Sequence, residues 1–136
     1  MATKKELRTK YKILRDGLTE ADVESMSLAM ATHALDLPIW DADYFHLFMP
    51  IAAKKEVDTT ALMPVLMGRD KSVVLPKIVE GRLKHYLLQD STRLAVNDWG
   101  IPEPVSGIEV LPAQLQVVFV PLLAFDQRGH RVGYRK

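Results

Sequence analysis

The residues best suited to chemistry gather where the apolar run ending at Phe125 gives way to polar ones, in VPLLAFDQRGHRVGYRK. Asp126 follows the run at once, and Gly129 permits a tight turn with positive φ. Arg131 offers a forked cation that matches phosphate. Gly133 would let backbone amides approach a ligand closely, and the Tyr134 ring could stack on another ring. Together they read as the opening of a phosphate-binding loop. A β-hairpin with DQRG as its turn and Arg131 as a solvated strand residue uses the same residues, and D-x-x-G turns are common. Two further groups leave a similar choice. Glu56, in the stretch EVDT, could hold an amine-rich heterocycle through paired hydrogen bonds, or be solvated beside an Asp58 that caps a helix. Lys4 and Arg8, four apart, share one helix face and could clamp phosphates, although a basic helix is more often simply solvated.

Other chemistries find no support. His33, His46, His85 and His130 show no metal-ligand spacing, and no Ser-His-Asp arrangement, G-x-x-x-x-G-K-[ST] loop or G-x-G-x-x-G turn is present. With no cysteine, disulfides and thiolate metal sites are excluded and a reducing, cytoplasmic setting is favoured. A net charge of +1, with four Tyr and four Phe not interleaved with basic residues, argues against a nucleic-acid partner. The polar, basic start MATKKELRTKYK is not a secretory signal, and no run approaches the ~20 apolar residues that span a bilayer. No membrane partner is expected.

These groups need elements to position them. The chain has 136 residues, 48% hydrophobic and 26% charged, which suits a single domain over residues 1–136 with a real core. Thr3 with Glu6 makes a capping box for a first helix, with Leu7, Tyr11, Ile13, Leu14 and Leu18 as its stripe and Gly17 as its stop. Thr19 with Asp22 starts a second, whose apolar face is Val23, Met26, Ala29, Met30 and Ala34 and which ends before Pro38. Basic residues crowd the first helix and acidic ones the stretch from Asp16 to Asp43, so the pair is expected to present complementary charged faces. YFHLFMP, KSVVLP and RLKHYLL read as strands. Asp58 or Thr59 caps a third helix through Leu62, Val65, Leu66 and Met67, with Gly68 as its stop. NDWGIPEPVSG reads as loop, and its Trp99 either lines a pocket or covers the core. LQVVFVPLLAF, the most apolar run, is predicted to be the central strand, buried on both faces. Met26, Met30, Met49, Met63 and Met67 read as core. The alternation predicts an α/β domain, three-layered, with a mostly parallel sheet flanked by helices. Ligands should then sit beyond the carboxyl ends of the strands, in the loops MPIAAKKEVDT, PKIVEGR and AFDQRGHRVGY.

In order along the chain, KKELR, FMPIAAKKEVDT, VVLPK, WGIPEP and VVFVPLLAFDQRGHRVGY resemble the motifs of the 5-formyltetrahydrofolate cyclo-ligase (methenyltetrahydrofolate synthetase) family. The resemblance covers nearly the whole chain and implies an ATP-dependent ring closure of 5-formyltetrahydrofolate to methenyltetrahydrofolate, assisted by Mg²⁺, in a monomeric cytoplasmic enzyme. It implies ATP phosphates at Lys4, Arg8, Arg131, Gly133 and Tyr134, and folate at Glu56 with Met49 or Pro50 beside it. The family pattern continues as G-Y-G-x-G-Y-Y-D, whereas Arg135 stands at the third position and Lys136 is last. On that pattern the domain is expected to be incomplete at its C-terminus, with the acidic Mg²⁺ ligand in the missing part and no metal ligand assigned here. An exposed sheet edge open to self-association is expected with it. A non-catalytic homologue that binds folate or nucleotide is the alternative.

Overall fold

A computed structural model describes residues 3–133 of the chain. The Thr3 hydroxyl accepts the Glu6 amide at 3.1 Å and opens helix α1, Lys4–Asp16, satisfying a donor that a helix start leaves orphaned. Thr19 and Asp22 cap each other's backbone reciprocally at the start of α2, Glu20–Ala34. Strand β1, Tyr44–His46, leads through a loop with a short 3-10 turn, Ala52–Lys54, to a second 3-10 turn, Thr59–Leu62. Asp58 caps that turn by accepting the Thr60 amide at 3.0 Å, and the chain continues as α3, Met63–Gly68. Then come β2, Ser72–Val79, and β3, Arg82–Leu87; the hairpin β4, Leu94–Val96, with β5, Pro102–Pro104; β6, Val117–Val118; and the hairpin β7, Ala124–Phe125, with β8, Arg131–Val132.

The main sheet has the order β3-β2-β1-β6. β1 runs parallel to both neighbours, and β3 pairs antiparallel with β2. The class is therefore α/β with a mostly parallel sheet, as the alternation of elements predicts. The period-two side chains of β1 and its extension put Phe45, Leu47 and Met49 on one face with Val73 and Leu75 of β2. There they meet Ala31 and Ala34 of α2 and Leu62 and Leu66 around α3. Trp40 stacks on Phe45 with ring centroids 5.7 Å apart and carries the Arg69 guanidinium 4.4 Å from its own centroid. On the opposite face, His46 Nε2 and His85 Nδ1 share a hydrogen bond of 3.0 Å.

Four readings of the sequence are corrected. The central strand is the short β1, whereas the apolar run 115–125 gives that sheet the edge strand β6, with Val118 51% exposed, and ends in β7 of the separate hairpin. Pro121 has no amide to give to a longer ladder, which limits that strand. NDWGIPEPVSG is not all loop, because β5 lies within it; its prolines are tolerated in a two-stranded hairpin, every strand of which is an edge. The buried face of α2 is Ser27, Ala31 and Ala34, while Met26, like Met67, is exposed rather than core. Nor do α1 and α2 meet through complementary charges. An apolar groove of about 480 Å³, lined by Tyr11, Leu14 and Leu18 against Val23, Met26 and Met30, lies between them, and α1 packs on the β7–β8 hairpin instead.

Candidate functional site

The chain leaves β1 for β2 on one side, while β6 takes the place on the other. The strand order therefore reverses between β1 and β6. In open α/β sheets such a reversal opens a crevice beyond the carboxyl ends of the two strands, where ligands bind. A cavity of about 290 Å³ lies there, walled by Phe48, Glu56, Val57 and Thr59 after β1 and by Phe119 to Leu122 after β6. Of the three strand-end loops named from sequence, MPIAAKKEVDT supplies Glu56, Val57 and Thr59 and AFDQRGHRVGY only Phe125; the rest of that wall, Phe119 to Leu122, comes from the run read as the central strand. The third, PKIVEGR, does not join them, because residues 76–79 continue β2 and Glu80 and Gly81 turn directly into β3.

The loop after β1 is held at several points. Glu56 is 3% exposed and accepts the Ile51 amide at 2.6 Å, so the solvated alternative for Glu56 is ruled out. Lys55, with φ 53°, sends its ammonium to the Asp16 carbonyl at 2.6 Å and to the Leu18 carbonyl, clasping the end of α1. The Asp58 amide donates to Ser27 of α2 at 2.8 Å, and the Thr59 hydroxyl to the Phe48 carbonyl. A carboxylate fixed this way is preorganised for a ligand's donors rather than left to find them. Pro50 lines a neighbouring cavity of about 510 Å³ that Glu56 also borders. Met49 belongs to the hydrophobic core, 5% exposed, because period two turns it to the face shared with Leu47. Of the pair read as folate neighbours, Pro50 is the one facing an opening.

The C-terminal segment is a hairpin, as the D-x-x-G alternative had it. Asp126 accepts the amides of Arg128 and His130 at 2.8 and 2.9 Å, and Gly129 takes φ +88°. Bonds from His130 to the Asp126 carboxylate hold its pKa below the usual range. Arg131 is exposed on β8. Arg8 reaches this hairpin, its Nε donating to the Gly133 carbonyl at 3.0 Å. Lys4 is exposed one turn earlier on the same helix face. Tyr134 lies outside the described residues, as does Arg135.

Sequence reasoning missed Arg15. Its Nη2 donates to the Leu122 carbonyl at 3.0 Å, and its side chain lines the cavity that Glu56 lines. Burial lowers its pKa, while the charges of Glu56 and then Asp16 raise it. Its partners lie far along the chain, so no local pattern marks it. The groups read from sequence are therefore not packed around one point. Glu56 stands at one end of α1 and the Arg8–hairpin contact at the other, with Arg8 and Arg15 roughly 10 Å apart along the helix at 1.5 Å per residue. Among the described residues no cluster of three or more His, Asp or Glu could hold a metal ion. No helix among them is long and apolar enough to cross a membrane.

Comparison with known proteins places this geometry. The family model of the 5-formyltetrahydrofolate cyclo-ligase family matches residues 1–136. A protein of Haemophilus influenzae named 5-formyltetrahydrofolate cyclo-ligase is 32% identical over 96% of this chain and 72% of its own length. The solution structure of 5,10-methenyltetrahydrofolate synthetase from Aquifex aeolicus superposes with a TM-score of 0.83 at 34% identity, covering 98% of this chain and 68% of that one. A methenyltetrahydrofolate synthetase from Mycoplasma pneumoniae, at 18% identity and a TM-score of 0.68 over 98% of this chain and 72% of its own, shares the fold.

Proposed function

Because this chain belongs to the 5-formyltetrahydrofolate cyclo-ligase family, a family of ligases, we propose that it closes 5-formyltetrahydrofolate to 5,10-methenyltetrahydrofolate with ATP as second substrate. The formyl oxygen attacks the terminal phosphorus of ATP and ADP leaves. The neighbouring folate nitrogen then attacks the activated formyl carbon and loses its proton, and the former formyl oxygen departs in inorganic phosphate. An amide-like formyl group is a poor electrophile, and phosphorylating its oxygen supplies the leaving group. The protein's share is alignment and neutralisation of phosphate charge.

The observation that carries this reading is a buried carboxylate at the switch point. In it, Glu56 accepts paired hydrogen bonds from the amine-rich ring of the folate, with Pro50 beside it. Lys4, Arg8 and Arg131 take the ATP phosphates, with Gly133 and Tyr134, which follow Arg131 in sequence, beside them. Their donors fit phosphate chemically, since forked guanidinium groups bind it bidentately. Mg²⁺ has no fitting ligand set among the described residues, so no step is assigned to it.

The test is to incubate the protein with 5-formyltetrahydrofolate, ATP and MgCl₂ and follow the methenyl product by its near-ultraviolet absorbance. ATP-dependent product is expected. Glu56→Gln should weaken folate binding by roughly tenfold or more, the size of a lost charge-assisted hydrogen bond. Saturable folate binding without product would replace this reading with a binding module. Unchanged affinity in Glu56→Gln would move the folate elsewhere.

A further inference from the structure

α1 connects the two ends of the candidate site physically. Near its start Arg8 holds the Gly133 carbonyl, and near its end Arg15 holds the Leu122 carbonyl while lining the cavity of Glu56. Leu122 and Gly133 flank one hairpin, since the Leu123 amide donates to the Val132 carbonyl at 2.8 Å. The helix is thus stapled to that hairpin at two points seven residues apart, and Lys55 clasps its last turn from the residue next to Glu56. No residue of α1 itself is buried. Leu7 and Tyr11 on its inner stripe, and Leu18 just beyond its end, are only half-buried, so its seat rests on these staples as well as on a shallow apolar contact and can be biased by what binds along it.

We propose that Arg15 is a positioning residue that couples the two substrates. A nucleotide held at the Lys4–Arg8 end seats α1 on the hairpin, and through Arg15 this fixes the wall opposite Glu56 and tightens folate binding. The inference rests on the proposed ligase reading and adds to it an interaction between the two sites, which must be reciprocal. Arg15 and Glu56 line the same cavity, where the Glu56 charge opposes the lowering of the Arg15 pKa by burial.

The experiment measures the Kd of 5-formyltetrahydrofolate by titration calorimetry, with and without saturating AMP-PNP and MgCl₂. In the wild type the analogue should tighten folate binding at least fivefold. Arg15→Met should bind AMP-PNP within twofold of wild type, yet its coupling should fall below twofold, and Arg15→Lys should restore part of it. A residue that only stabilised the fold would lower Tm and weaken both ligands while leaving the coupling ratio intact. Should Arg15→Met not fold, Arg15→Gln replaces it with the same expectation. Coupling retained in these variants, or a wild type that binds both ligands independently, overturns the inference alone. A wild type that binds neither ligand overturns the ligase reading and this inference with it.

Discussion

Residues 44–51 and residues 115–125 are both apolar runs that end beside the crevice, and they take opposite parts in the molecule. In the first, Phe45 and Leu47 are fully buried. In the second, Val118, Val120 and Phe125 are 51%, 46% and 76% exposed. Hydrophobicity does not separate them, but the neighbours on each side do. β1 has a parallel partner on both flanks, with the Leu47 amide bonded to the Val74 carbonyl at 3.0 Å and the Phe119 amide to the His46 carbonyl at 2.9 Å. Among the described residues β6 has a partner on one flank only. The first run is scaffold, and the second buries Leu123 and Ala124 but turns Phe119 to Leu122 and Phe125 to the crevice as its wall. Substitutions should therefore cost stability in the first and binding in the second.

The largest expected effect is at Phe45. Phe45→Ala removes the ring that stacks on Trp40 and fills the core between sheet and helices, and should cost about 3–5 kcal/mol in urea denaturation. A loss under about 1 kcal/mol would erase the contrast between the two runs.

A second effect of the scaffold appears with pH. Burial, and next the neighbouring His85, lower the His46 pKa to about 4 from an ordinary value near 6.5. The folded state thus disfavours the proton that the unfolded chain accepts. Stability from this group is full above pH ~6.5 and is lost progressively as pH falls towards 4. The total stays below about 3 kcal/mol at 1.36 kcal/mol per unit, because solvent screens a group that is not fully enclosed. The His85 pKa is also lowered, by burial first, with the Glu109 charge opposing. Denaturation midpoints measured between pH 7 and 4 should fall more steeply in the wild type than in His46→Gln. Equal slopes would remove His46 from the account.

Much of this was legible in the sequence where the cause is local. Thr3, Thr19 and Asp58 announce helix and turn starts because each caps backbone within three residues, and KSVVLP and RLKHYLL read as strands from β-branched or alternating side chains. Of the strand-end loops, MPIAAKKEVDT was legible because it follows β1, whereas PKIVEGR proves to be the end of β2 and its turn into β3. What failed depended on distant partners. Pairing on both sides of β1 cannot be seen in YFH, and Gln116, whose side chain accepts the Asp43 and Tyr44 amides at 2.6 and 3.0 Å, ties β6 to the start of β1 across the whole middle of the chain. Ser27 looks like a helix interior polar residue until its bond to the Asp58 amide is seen. Glu56 could be named as an acid at a strand mouth, but its burial comes from folding back onto Ile51.

The smallest expected change in stability falls on the crevice wall. Phe125 is mostly exposed, yet it borders both the switch-point cavity and the groove between α1 and α2. Phe125→Ala should alter stability by no more than about 0.5 kcal/mol, as for surface positions in general. It should nonetheless weaken 5-formyltetrahydrofolate binding several-fold in calorimetry, because an aromatic wall lost from a ligand cavity removes contact area that only the complex uses. A destabilisation above about 1.5 kcal/mol with unchanged affinity would make Phe125 a core residue in function, and the second run a scaffold like the first. The reverse pattern is expected, because a side chain with one packed flank has little folded-state contact to lose.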